Sequence, residues 1–268
     1  MPIDRAPILA GKFYPEDETA LDERLTTLLG VAQQSEPALG LIVPHGSLDA
    51  AGPVAAAAYA RVRVPDVVVI LSSSHTGQTS RGSILAHGLF RIPGARVPVD
   101  TRFAEDFRGL GLLHEDEAPH VLEHAIEAQL PFLVRRNPRL RIVPVVFGPM
   151  PHPSCVRIGN ALADCINNHG RDVLVIATTT LSHYVDAKSA EALDGRTLDR
   201  ILALDGPGLF ELVAEHPEAM CSAVPVAVLL ACARALGRNQ ATLVRRGHSG
   251  ETTGTTDEVA GFASVLVP

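Results

Sequence analysis

Four short runs of uninterrupted apolar residues constrain this chain more than any other feature. Leu39–Val43 (LGLIV), Val67–Leu71 (VVVIL), Ile142–Phe147 (IVPVVF) and Val173–Ala177 (VLVIA) show no alternation of polar and apolar side chains. Side chains along a strand point to opposite faces in turn, so runs without alternation predict strands covered on both faces. Between and beyond them lie stretches with helical spacing of Ala, Leu and Ile. These are Asp17–Leu29, Gly52–Val62, Thr101–Leu110, Glu123–Arg135, Ser154–Asn168, Ala187–Leu204 and Ser222–Leu236. Ser154, after Pro153, is placed to cap its helix, and Gly237 stands where a helix stop is expected. A last strand is predicted over Val259–Val267, interrupted by Gly261. Strands alternating with helices predict an α/β fold, with a central, mostly parallel or mixed sheet and helices on both faces. No repeat, low-complexity stretch or Gly/Ser/Pro-rich linker divides the sequence, so residues 1–268 read as one domain.

Composition narrows the function classes. The chain carries 23 Lys and Arg against 30 Asp and Glu, a net charge of −7. That balance argues against a sequence-independent grip on nucleic acid, which needs clustered basic residues. No apolar run reaches the roughly 18 residues of a membrane span; the longest candidate, Met220 to Arg234, is interrupted by Pro225. The opening residues, MPIDRAPILAGKFYPED, lack the apolar stretch of a signal peptide. Cys155, Cys165, Cys221 and Cys232 do not make a disulfide framework in a chain of this size, and the expectation is a reducing, cytoplasmic setting.

In open α/β sheets ligands bind beyond the carboxyl ends of the strands. His45 follows the run Leu39–Val43, His75 follows Val67–Leu71 through three serines, and His183 follows Val173–Ala177 through TTTLS. Three His residues at equivalent strand ends are expected to converge on one rim. Neutral imidazole ligates zinc, copper, iron and nickel. Cys221 lies just before a predicted helix, where the dipole favours the thiolate for metal ligation or nucleophilic attack. Cys155, Cys165 and Cys232 are assigned to packing.

His120-Val121-Leu122-Glu123-His124 matches H-x-x-E-H, the inverted zinc-peptidase pattern, with Glu127 one turn later. On one helix the two His would share a face. The competing expectation is that His120, Glu123, His124 and Glu127 border a pocket or support another site. No G-x-G-x-x-G, Walker loop or G-x-S-x-G elbow is present, which disfavours nucleotide binding by those routes and α/β-hydrolase chemistry. Ser249–Gly254 (SGETTG) has the composition of an anion-binding turn, but reads more simply as the loop entering the last strand.

Taken together, these segments resemble the Memo-like family, whose bacterial and archaeal members are often called AmmeMemoRadiSam system protein B. The resemblance runs almost end to end. Ala10-Gly11-Lys12-Phe13-Tyr14-Pro15 is similar to the family's A-G-x-F-Y-P, followed by Pro44-His45 and Ser74-His75-Thr76. The most specific stretch is Glu123–Leu133 (EHAIEAQLPFL), similar to E-H-S-I-E-V-Q-L-P-F-L. Leu181-Ser182-His183-Tyr184 resembles D-L-S-H-Y, Cys221 with Pro225 resembles C-G-x-x-P, and Ser249–Gly254 resembles S-G-D-V-T-G.

The resemblance implies a fold shared with class III extradiol ring-cleaving dioxygenases, which are non-haem iron enzymes. It implies a metal site at His45, His75 and Cys221, with His183 where those dioxygenases place an acid/base imidazole. It also implies association with AMMECR-type and radical-SAM proteins. The chain departs from the family in places. The family's P-H-A-G-Y-x-Y-S-G reads Pro44-His45-Gly46-Ser47-Leu48-Asp49-Ala50-Ala51-Gly52 here, without either Tyr, and Thr180 replaces an Asp near His183.

The first expectation is therefore a cytoplasmic non-haem iron or copper oxidoreductase acting on a small-molecule or peptide substrate. Zinc fits the same donors. The rivals are a non-catalytic scaffold binding a partner in the former metal pocket, and a zinc peptidase using His120 and His124.

Overall fold

Three neighbouring parallel strands at the centre of the sheet are buried at every position. Because alternate side chains point to opposite faces, such strands must be covered on both sides, and their sequences are the uninterrupted apolar runs. The computed structural model describes residues 3–30 and 35–268. Among the described residues nine strands form the main sheet: β1 (Gly40–Val43), β2 (Val67–Ser73), β3 (Gly82–Ile84), β4 (His114–Glu115), β5 (Arg141–Phe147), β6 (Val173–Thr178), β7 (His183–Val185), β8 (Thr242–His248) and β9 (Val259–Val267). Their order is β7-β9-β1-β6-β2-β5-β3-β4, with β8 also paired to β9.

The sheet is mixed. β1, β6, β2 and β5 run parallel to one another, whereas β9 is antiparallel to β1, β7 and β8, and β3 is antiparallel to β5. The register places Val43 beside Thr178 and Leu71 beside Ala177, so β1, β6 and β2 end at one edge. A smaller sheet joins Ile3–Arg5, Gly88–Ile92 and Ala95–Pro98.

Helices flank the main sheet, and one cluster of buried apolar side chains runs from Leu9 to Val267. Helix Val224–Ala235 packs on β1, β2 and β6 and against helix His152–His169. The two helices meet at Gly159, where a Cβ would lie 2.6 Å from both the Ala231 Cβ and the Val228 carbonyl. No helix among the described residues is long and apolar enough to cross a membrane.

The structure revises several local expectations. The stretch Glu123–Arg135 is two short helices, His124–Glu127 and Leu130–Arg136. Pro131 lacks the N–H an interior turn needs and is tolerated only in a first turn, so a new helix starts there. Ser154 is not a cap: its helix begins at His152, and the Ser154 N–H donates to the Pro151 carbonyl. Helix Gly206–Glu215 escapes the sequence pattern because Gly206-Pro207-Gly208 opens it; Asp205 caps it by accepting from the Gly208 N–H. The exposed edge strand β8 (TLVRRGH) carries charge rather than an apolar run, as edge strands commonly do. Ser249–Gly254 holds a single helical turn, Gly250–Thr253, before β9.

Candidate metal centre

His45 leaves the end of β1, His75 the end of β2 and His183 follows β6, so adjacent parallel strands deliver all three to one rim. Cys221 lies between the turn Pro217–Ala219 and helix Val224–Ala235. Its backbone N–H donates to the Thr180 carbonyl at 3.1 Å, which clips it to the segment beyond β6. One ligand atom each from His45, His75 and Cys221 lies within 4.8 Å of the others. Two nitrogens and a sulfur at that spacing match the donor set of a borderline transition metal.

Both imidazoles of this donor group are held from behind. Glu123 accepts from His75 twice, from Nδ1 at 2.8 Å and from the backbone N–H at 2.9 Å, and also takes the Ala125 N–H at 3.0 Å. Burial works against ionisation of Glu123, but His75 and these donors outweigh it and bring its pKa down to about 2. An ionised carboxylate only accepts, so His75 Nδ1 carries the proton and Nε2 is left for a metal. On His45, Nδ1 lies 3.1 Å from Thr178 Oγ1. Gln129 Nε2 donates to that hydroxyl and to the Pro44 carbonyl, while Tyr59 donates to Gln129 Oε1. This buried chain fixes the ring that follows Pro44.

The environment favours the Cys221 thiolate. Burial opposes ionisation, yet His45, with hydrogen bonds from His75 and Thr179, holds the thiol well below the ordinary range. Thr179 Oγ1 lies 3.1 Å from Sγ, and the Thr180 N–H donates to it at 3.4 Å. The helix dipole contributes less than the sequence implies, because the helix begins only at Val224. Burial likewise opposes protonation of His75, but hydrogen bonds with Cys221 and Glu123 raise its pKa to about 10. A metal at this position therefore competes with a proton for Nε2.

Two further imidazoles flank the cluster. His124 is edge-on to His45, with centroids 5.3 Å apart, and 4.5 Å from His75. Burial and the neighbouring imidazoles hold its pKa down, at about 4. His183 is lowered too, by burial against the pull of Cys221, and its Nε2 lies 2.6 Å from Thr180 Oγ1. This hydroxyl orients the ring. His183 sits on a bulge of the β7–β9 ladder at Tyr184, which has a left-handed backbone (φ 59°).

A profile described as Memo-like protein matches residues 5–266. The MEMO1 family protein MTH_45 of Methanothermobacter thermautotrophicus is 35% identical over 273 residues, covering 97% of this chain and 98% of the relative. A MEMO1 family protein of Methanosarcina mazei is 33% identical, covering 98% of both. The chain belongs to the Memo family. The fold is also shared with the crystal structure of uncharacterized protein JW3007 from Escherichia coli K12. That match has a TM-score of 0.56 at 13% identity and covers 85% of this chain and 99% of the other.

In this Memo family member the H-x-x-E-H segment does not form one helical face. Glu123 has an extended backbone (ψ 122°) and caps the helix His124–Glu127, whereas His120 belongs to the preceding turn, Ala118–Val121. His120 is fully buried against Ser83, with Nε2 3.1 Å from its hydroxyl, and belongs neither to the His45–His75–Cys221 group nor to the second close donor group among the described residues, His75, Glu123 and His124. The peptidase arrangement is therefore absent. Glu127 does not border the pocket either. It accepts from Arg5 Nη1 at 2.5 Å, from Tyr14 Oη at 2.5 Å and from the N–H groups of Ile8 and Leu9. Of the four residues, only Glu123 and His124 reach the cluster. Thr178, Thr179 and Gln129 were not singled out from the sequence, although Gln129 lies inside its most specific stretch.

Proposed function

We propose that this Memo family protein is a metal-dependent oxidoreductase of the dioxygenase type, with non-haem iron or copper held by His45, His75 and Cys221. The observation that carries the reading is the convergence of those three donors within 4.8 Å, with Glu123 orienting one ring. A redox metal, when bound, supplies dioxygen or one-electron chemistry that no side chain provides. The chain's own residues do the rest. Glu123 and Thr178 hold the imidazoles so that Nε2 of each is free. Thr179 and the Thr180 N–H stabilise the sulfur anion. His183, neutral at physiological pH, accepts a proton from a molecule at the centre or returns one. Thr180 Oγ1 follows either state, because a hydroxyl both donates and accepts. Association with AMMECR-type and radical-SAM proteins, which the family resemblance implies, belongs to the same proposal.

The test is metal analysis of untagged protein, followed by anaerobic reconstitution with ferrous iron and oxygen-consumption assays on small-molecule substrates. About one equivalent of iron or copper is expected, lost in Cys221→Ser. His183→Ala should keep the metal while losing most turnover. Failure to retain any stoichiometric metal rejects the reading, and zinc alone rejects its redox part.

A further inference from the structure

A chamber of about 390 Å³ opens directly beside His75 and Cys221. Its walls are Phe147 at the end of β5, Met150, Phe210 and Val213 of helix Gly206–Glu215, and Val224 at the start of the next helix. Among the described residues no Lys, Arg, Asp or Glu lines it, and its titrating side chains are His75 and Cys221 themselves. The cleft around Asp194 is different, with Lys188, Glu191, Arg246 and Glu251 in its lining. Ser73 and Ser74, at the end of β2, complete the chamber. Both hydroxyl oxygens are buried without a hydrogen-bond partner, and Ser73 as a whole is only 8% exposed. Buried hydroxyls are normally paired, so two unpaired ones beside a reactive cluster mark places where a ligand supplies the partner. A serine hydroxyl swings on one torsion and is free to meet it.

We propose that this chamber receives an uncharged, predominantly apolar small molecule whose hydrogen-bonding group meets Ser73 and Ser74 beside the cluster. The inference rests on the reading of His45, His75 and Cys221 as a metal centre. A cavity of this volume, mostly apolar with a few placed polar groups, is typical of small-molecule sites. A phosphate or carboxylate on the body of the ligand would lose its hydration here with no Arg or Lys to replace it. The lining offers a phosphorylated peptide no Arg or Lys with which to pair its phosphate.

Saturation-transfer NMR with benzyl alcohol, cyclohexylmethanol and phenyl phosphate tests this, on protein as purified and after chelator treatment, with metal content measured separately. Both alcohols should bind at least tenfold more tightly than phenyl phosphate in both samples. Val213→Arg should weaken the alcohols at least tenfold. Ala214→Trp, at an exposed position of the chamber's rim, should weaken them as well and decides the matter if the first variant does not fold. Phenyl phosphate binding as tightly as the alcohols in either sample overturns the proposal, as does alcohol binding unchanged in folded variants. Protein that holds no metal either as purified or after reconstitution, with the ranking intact, rejects the metal reading and leaves the chamber's ligand standing.

Discussion

Glu123 shows how much of a candidate metal centre lies behind its ligands. Its carboxylate takes three N–H groups, two from His75, 48 residues away, and one from Ala125 in its own turn, and one of them fixes the tautomer of His75. In Glu123→Gln one oxygen becomes a donor and meets N–H groups that also donate. Loss of an outer-shell partner of this kind typically costs about 10–100-fold in metal affinity. A chelator-competition titration should find that loss in Glu123→Gln; affinity within twofold of wild type would remove Glu123 from the centre. The imidazoles of the rim were legible in the sequence, because His45, His75 and His183 each follow an apolar run that reads as a buried strand. Their supports were not. Thr178 meets His45 across 133 residues, and Gln129 meets Thr178 across 49, and no local pattern encodes either contact.

At the scale of elements, the apolar runs gave the parallel centre of the sheet almost to the residue, and the misses fall where local rules are broken for a purpose. The bulge at Tyr184 is one. Between His183 and Val185 the register on β9 advances by a single residue, from Ala260 to Val259, and Tyr184 absorbs the difference in a left-handed conformation. Tyr184 is 82% exposed, so its backbone matters more than its packing. Tyr184→Gly should leave thermal stability within about 0.5 kcal/mol of wild type. Tyr184→Val, β-branched at positive φ, should cost about 1–2 kcal/mol. Equal stabilities in urea would show that the bulge does not depend on that conformation. The helix broken after Glu127 is a second case: helical spacing continues through the break, but Glu123 is needed as a cap and Pro131 as a first-turn residue.

Across the whole molecule, buried polar groups tie the N-terminal segment to the centre. Arg5 donates to the Glu127 carboxylate and to the carbonyls of His120 and Glu123, so the small sheet is strapped to the turn that carries the His75 support. Removing one partner of a buried pair strands a charge and costs about 3–5 kcal/mol. Arg5→Met should lose that much in urea unfolding, and Arg5→Met with Glu127→Leu should recover part of it; a single variant at wild-type stability would deny the strap. His120 sets a pH limit beside it. The Ser83 hydroxyl donates to the Asp116 carbonyl, so it can only accept from His120 Nε2–H, and Nδ1 is left bare, buried and unpartnered. Burial, helped by Arg5, pushes the His120 pKa down to about 3 from an ordinary 6.5. Between those values the unfolded chain binds a proton that the folded protein excludes, so stability falls as pH drops below 6.5. One proton of difference is worth about 1.4 kcal/mol per pH unit, and integrating from pH 6.5 to 5 gives about 1.6 kcal/mol. The depressed carboxylate Glu123 loses its contribution lower, as pH falls from its ordinary 4.5 toward about 2, and is the same in a His120 variant. His120→Gln should therefore lose about 1.6 kcal/mol less than wild type between pH 6.5 and 5, read from urea midpoints. Parallel pH profiles for the two proteins would mean that His120 is protonated in the fold.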